Sequence, residues 1–182
     1  MLVGLLGSSR DEMGEDLKAS ADKVIEILES RSYSLVLGGA SGGIMKEAYN
    51  RFLKADHDVF VLQSKNRQKE EDRIDLSTLF LQQDNFERSR SIYEKSDVFV
   101  FLPGGTGTLA EVFGFLDYES ETGKQKPILF YNETGMYTPV LELIQKAIEN
   151  HLIRPDVKNL YTEVKNTKEF VDALESIDGK RR

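Results

Sequence analysis

The sequence predicts an α/β protein built on an open, mostly parallel sheet of six or seven strands with helices on both faces. Two observations predict it. Short apolar runs at residues 2–6, 33–37, 59–62, 79–81, 98–102 and 128–131, with a weaker one at 159–164, are continuous rather than alternating and rich in β-branched and aromatic residues. That suits strands covered on both faces. Between them lie longer segments whose apolar residues recur at helical spacing, and strand–helix alternation along a whole chain marks this architecture.

The elements follow in order. The run from Leu2 to Leu6 leads into Gly7-Ser8-Ser9 and then a helical stretch with Leu17, Ala21, Val24, Ile25 and Leu28 on one face. The second run is followed by Gly38-Gly39-Ala40-Ser41-Gly42-Gly43. The most polar stretch, residues 64–75, separates the third run from the fourth and reads as a solvated loop. A helix over 86–95, opening at Asn85-Phe86-Glu87-Arg88, leads to the fifth run, and Pro103-Gly104-Gly105-Thr106-Gly107-Thr108 precedes a helix over 108–118. After the sixth run, Met136, Val140, Leu143, Ile144, Ala147 and Ile148 form the apolar face of a helix starting near Gly135. Phe170, Val171 and Leu174 indicate a terminal helix, with residues 178–182 expected to fray. There is no internal repeat and no linker, and 182 residues suit a single domain over 1–182.

Composition narrows the function. With 31 acidic against 24 basic residues, a net charge of −7 argues against a nucleic-acid partner bound through phosphate neutralisation. The absence of cysteine excludes disulfides, thiolate catalysis and cysteine-ligated metals. Two distant histidines, His57 and His151, make a transition-metal site improbable and read as turn residues. No apolar stretch is long enough to span a membrane, and the N-terminus lacks the basic start of a signal peptide, so the expected compartment is the cytoplasm, with no membrane partner.

In open α/β sheets ligands bind beyond the carboxyl ends of the strands, and three strands end in glycine-rich turns. Such turns let the backbone approach a ligand, and the amides of the following helix start form an anion site. Gly7, Ser8, Gly38, Gly39, Gly104, Gly105, Thr106, Gly107 and Thr108 are therefore candidate phosphate contacts. Glycines that only make tight turns are the alternative, open for residues 38–43 and less fitting for 103–108. No turn ends in the Gly-Lys-Ser/Thr of a Walker loop. A dinucleotide fingerprint forced onto Gly105-x-Gly107-x-x-Ala110 follows the wrong strand, and its acidic partner would fall too far away, at Glu133.

Two charged residues are candidates for chemistry. Glu111 is spaced from Thr108 as in a capping box, which would give it a structural role. Beside a phosphate turn, however, a carboxylate repels the ligand unless it stabilises a ribosyl cation or positions a water. Arg88 would grip a phosphate bidentately; the alternative is a solvated arginine paired with Glu87 or Glu94. Nothing marks a Schiff-base lysine for pyridoxal, and no cofactor is expected.

At Pro103-Gly104-Gly105-Thr106-Gly107-Thr108-Leu109-Ala110-Glu111 the chain resembles the LOG (Lonely Guy) family of cytokinin riboside 5′-monophosphate phosphoribohydrolases, often labelled "possible lysine decarboxylase". The PGGxGTxxE motif is complete. Gly7-Ser8-Ser9, the segment from Leu35 to Met45 and Asn85-Phe86-Glu87-Arg88 resemble the family's other turns and its arginine segment. The resemblance implies a Rossmann-like homodimer that hydrolyses the N-glycosidic bond of a nucleoside 5′-monophosphate, AMP or a cytokinin riboside monophosphate, to free base and ribose 5-phosphate. It implies that Arg88 and Glu111 are catalytic, that the 104–108 turn holds phosphate, and that Glu70 contacts substrate. A lysine decarboxylase is not expected, for want of a pyridoxal site.

The chain departs from the family pattern at Ser89, where lysine is usual, at Thr106, often aromatic, and at Gly114, Asp117 and Ser120. These positions are expected where base or ribose is read, so the departures leave hydrolysis in place and bear on the base accepted. The competing reading is a non-catalytic nucleotide or molybdopterin-type carrier on the same fold, which would have no use for both Arg88 and Glu111.

Overall fold

The computed structural model describes residues 1–65 and 79–180. Seven strands, β1 (Leu2–Leu6), β2 (Ser34–Leu37), β3 (Val59–Ser64), β4 (Leu79–Gln82), β5 (Val98–Phe101), β6 (Ile128–Tyr131) and β7 (Tyr161–Val164), form one sheet in the order β4-β3-β2-β1-β5-β6-β7. Every pair is parallel. The expected class therefore holds at the upper strand number.

The strands split their side chains between two cores, as the two-residue period of a strand requires. Val3, Leu5, Leu35, Leu37, Val98 and Val100 pack under α1 (Glu15–Ser30), α2 (Gly43–Lys54) and α6 (Thr167–Gly179). Leu6, Val36, Phe99 and Phe101 pack under α3 (Asn85–Lys95), α4 (Thr106–Thr122) and α5 (Thr138–Glu149). A 3-10 helix, Pro155–Asn159, leads into β7. No described helix is long and apolar enough to cross a membrane.

Three elements differ from expectation. The helix expected over 108–118 begins at Thr106 and runs to Thr122. On α5 only Ile144 is fully buried, while Leu143 is 59% exposed and Met136, ahead of the helix, is 50% exposed. The periodicity correctly marks an apolar face, but nothing in the described chain covers its outer half. The last helix continues to Gly179, and the Tyr33 hydroxyl donates to the Asp178 carboxylate, anchoring the first residue of the segment expected to fray; residues 181–182 of that segment lie outside the described residues.

Candidate functional site

The chain order leaves β1 next to both β2 and β5, so successive connections diverge at the β1/β5 seam. A crevice at the carboxyl end of such a seam is where α/β sheets take ligands. All three glycine turns lie there. The Ser8 amide donates to the Pro103 carbonyl at 3.0 Å, and the Thr108 hydroxyl donates to the Gly7 carbonyl at 3.2 Å, joining the first turn to the third.

Thr108 thus has a different role from the one its spacing predicts. The N-cap of α4 is Gly105, which supplies no side-chain cap, and Thr108 sits inside the first turn. The capping-box reading of Thr108 and Glu111 is therefore incorrect. Early amides of a helix have no intrahelical acceptor, and no acid lies in the first turn of α4. The N–H groups of Thr106, Gly107 and Thr108 are the early amides of α4, with the positive end of the helix dipole behind them, an arrangement suited to an anion.

The start of α2 is arranged differently. The Gly43 amide donates to Asp11 Oδ1 at 2.8 Å, so the protein's own carboxylate occupies it. Gly43 has φ +54°, and a Cβ there would lie 2.6 Å from the Arg10 carbonyl oxygen and 2.8 Å from the Ser8 carbonyl oxygen. Glycine is required for that close approach. Of the two helix starts, α4 is the one that no acidic side chain among the described residues fills.

Arg88 and Glu111 meet beside it. Arg88 Nη2 donates to Glu111 Oε1 at 3.0 Å, and Nη1 donates to the Gly38 carbonyl at 3.2 Å. Both side chains are 8% exposed, which sets this pair apart from the solvent-facing ion pairs elsewhere. The alternative of a solvated arginine is excluded: Arg90, two residues on, pairs with Glu94, and Glu87 accepts from the Gln83 amide at the start of α3. Asp84 caps α3 through the amides of Phe86 and Glu87, which fixes the helix that presents Arg88. Arg88 Nε is buried without an acceptor among the described residues, an orphan donor of the kind a ligand oxygen or water satisfies. Gly38 passes close to the pair: a Cβ there would sit 3.5 Å from Glu111 Oε1 and 3.1 Å from Ile92.

Sequence reasoning missed several contributors. Ser89 Oγ lies 3.4 Å from Glu111 Oε1, so the departure at this position reaches the carboxylate itself. Tyr137 donates to the Leu102 carbonyl at 2.6 Å, bracing the strand end before the 103–108 turn. Burial, and then the Glu111 charge, push the Tyr137 hydroxyl above its ordinary value, keeping it a donor. Glu70 lies outside the described residues. Gly114, Asp117 and Ser120 do not lie on the Glu111 face of α4. They line an open hollow of about 560 Å³ with Phe113, Leu152 and Arg154 on the α5 side. Among the described residues no cluster of three or more metal-ligating side chains occurs.

Comparison with known proteins gives the chain a family. Residues 38–174 match the profile described as "Possible lysine decarboxylase". The chain belongs to that family, the LOG family. A cytokinin riboside 5′-monophosphate phosphoribohydrolase of Arabidopsis thaliana is 30% identical over 158 residues, covering 85% of this chain and 74% of that protein. A probable enzyme of the same name from Oryza sativa is 29% identical over 162 residues, covering 87% of this chain and 66% of that protein. Among solved structures, the molybdenum cofactor carrier protein of Chlamydomonas reinhardtii has the same fold, with a TM-score of 0.63 at 18% identity over 98% of each chain.

Proposed function

We propose that the protein is a nucleoside 5′-monophosphate phosphoribohydrolase acting on AMP or a cytokinin riboside monophosphate. The observation that carries this reading is the buried Arg88–Glu111 pair beside the start of α4, which has no side-chain cap and no acid in its first turn. Binding a phosphate needs the helix start and a cation; burying a carboxylate alongside them works against binding. That carboxylate is accounted for if positive charge develops close by.

Hydrolysis supplies such a charge. The 5′-phosphate is held by the amides of Thr106, Gly107 and Thr108, with Gly7, Ser8, Gly38, Gly39, Gly104 and Gly105 shaping the approach. As the C1′–N bond lengthens, its electron pair leaves with the base, which takes up a proton, and C1′ becomes cationic. Glu111 stabilises that cation and directs a water, whose hydroxyl adds to C1′ and whose other proton is released. Arg88 orients the Glu111 carboxylate through Nη2 and offers Nε to the substrate. Differential stabilisation of this kind raises turnover rather than ground-state affinity. The names of the relatives support the same substrate class.

The protein is further proposed to be a homodimer, joined through the face where Phe113, Leu143 and Leu152 are 40%, 59% and 80% exposed. The test of function is incubation with a panel of nucleoside 5′-monophosphates and chromatography for free base. Release of adenine or an N6-substituted adenine supports the reading. Tight AMP binding without base release would instead mark a carrier.

A further inference from the structure

The lower halves of α3 and α4 hold a second polar contact between the same two helices. The Tyr93 hydroxyl donates to Glu119 Oε1 at 3.1 Å, and the Lys126 amide donates to the same oxygen at 3.0 Å. Lys126 Nζ donates to the carbonyls of Tyr93 (2.6 Å), Ser96 (2.7 Å) and Glu94 (3.3 Å), closing the C-terminal end of α3. Glu119 is 1% exposed, and its Oε2 has no partner among the described residues. Around it, Tyr93 packs against Phe115 at 5.3 Å and Tyr118 at 4.8 Å between ring centroids.

A carboxylate on the buried stripe of a helix is a costly choice where leucine would pack, and buried polar contacts are weak sources of stability. What they supply is direction. Both helices start at the same sheet edge and run side by side, and apolar packing alone leaves their relative slide loosely defined. Tyr93 lies five residues beyond Arg88, about 7.5 Å along α3, and Glu119 eight residues beyond Glu111, about 12 Å along α4. The contact is too far along the helices to touch a ligand at the glycine turns, yet it joins the two elements that carry the reactive pair.

We infer that Glu119 and Tyr93 are positioning residues, a distal clamp between α3 and α4 that holds Arg88 and Glu111 at their working separation. The inference rests on the phosphoribohydrolase reading for its kinetic readout, but its geometric consequence is independent of it.

The test compares wild type with Glu119→Ala, Tyr93→Phe and Glu119→Gln in AMP turnover well below the Tm of each variant, alongside crystal structures. Glu119→Ala and Tyr93→Phe should lower kcat by about 10-fold or more with KM within about 3-fold. Both should open the Arg88 Nη2–Glu111 Oε1 distance beyond about 4 Å, the limit of an ion pair. Glu119→Gln keeps an oxygen that accepts from Tyr93 and Lys126, so it should restore kcat to within about 2-fold and keep the short distance. If Glu119→Ala does not fold, Tyr93→Phe, which loses one hydroxyl, decides. Unchanged kcat and separation in Tyr93→Phe, a kcat loss without a change in separation, or a Glu119→Gln enzyme as slow as Glu119→Ala would overturn the clamp. A wild type that releases no base would sink the phosphoribohydrolase reading alone, and the crystallographic separation would then decide the clamp.

Discussion

Replacing Glu111 by glutamine separates chemistry from binding and from folding. The change keeps the side chain's size and one acceptor for Arg88 Nη2, now 3.0 Å away, and removes the negative charge. If the carboxylate meets a cation present only near the transition state, kcat should fall by roughly 10²-fold or more. Ground-state affinity should move the other way. Glu111 is five residues beyond Thr106, about 7.5 Å along the helix. One unit of charge removed at roughly 8 Å from a phosphate, at an effective dielectric between about 20 and 80, is worth about 0.5–2 kcal/mol. AMP should therefore bind roughly 2- to 30-fold more tightly. Stability should fall less than in Glu111→Ala, where an uncompensated buried guanidinium costs about 3–5 kcal/mol and roughly 6–20 °C in Tm. Single-turnover adenine release, calorimetric titration with AMP and thermal denaturation read the three effects. A Glu111→Gln enzyme at full rate per folded molecule would refute the assignment, since the carboxylate would then be serving structure alone.

Further predictions concern the surrounding structure. Gly43→Ala should cost at least about 2 kcal/mol, because a Cβ at φ +54° is strained and meets backbone atoms of Arg10 and Ser8; urea denaturation reads it. Thr108→Val should lose about 1 kcal/mol from the bond to Gly7 and weaken AMP binding, measured by denaturation and titration. Burial pushes the Glu119 carboxyl up to about 7, against the pull of Lys126 and Tyr93. A raised folded-state pKa gives stability that is fully present below the ordinary value of 4.5 and lost as pH rises towards 7. Wild type should therefore lose up to about 3 kcal/mol relative to Glu119→Gln over that window, read by denaturation at several pH values. Phe113→Glu should convert a dimer into a 20.7 kDa monomer in sedimentation; a monomeric wild type at micromolar concentration would refute the dimer.

The strands were legible because those buried on both faces must be apolar throughout, so Val98 to Phe101 or Ile128 to Tyr131 stand out without context. Arg88 and Glu111 were legible as a pair of residue types, but their mutual contact was not: they come from separate helices, and only the sheet order brings them within 3.0 Å. The start of α4 was misread because Thr108 and Glu111 imitate a cap, whereas the true cap, Gly105, has no side chain to announce itself. Asp11 lies in a polar loop indistinguishable from solvated sequence until Gly43 is seen donating to it. Glu119 carried a signal that could have been used. It falls four residues after Phe115 and eight after Glu111, so a charged group sits on the stripe that faces the core.

The seam between β1 and β5 has a consequence for biogenesis. β1 is synthesised first, but its partner lies far along the chain: the Leu2 amide donates to Asp97 Oδ2 at 2.7 Å across 95 residues, just before β5. Pairings of such long separation form late, because the chain must close a large loop before gaining any contact. A nascent polypeptide that has emerged only through α3 contains β1 to β4 and Arg88, yet neither the helix start of α4 nor Glu111. The crevice at the β1/β5 seam therefore comes into being only when the second half of the sheet closes onto β1, and a ligand that binds there selectively stabilises the longest-range strand pairing among the described residues.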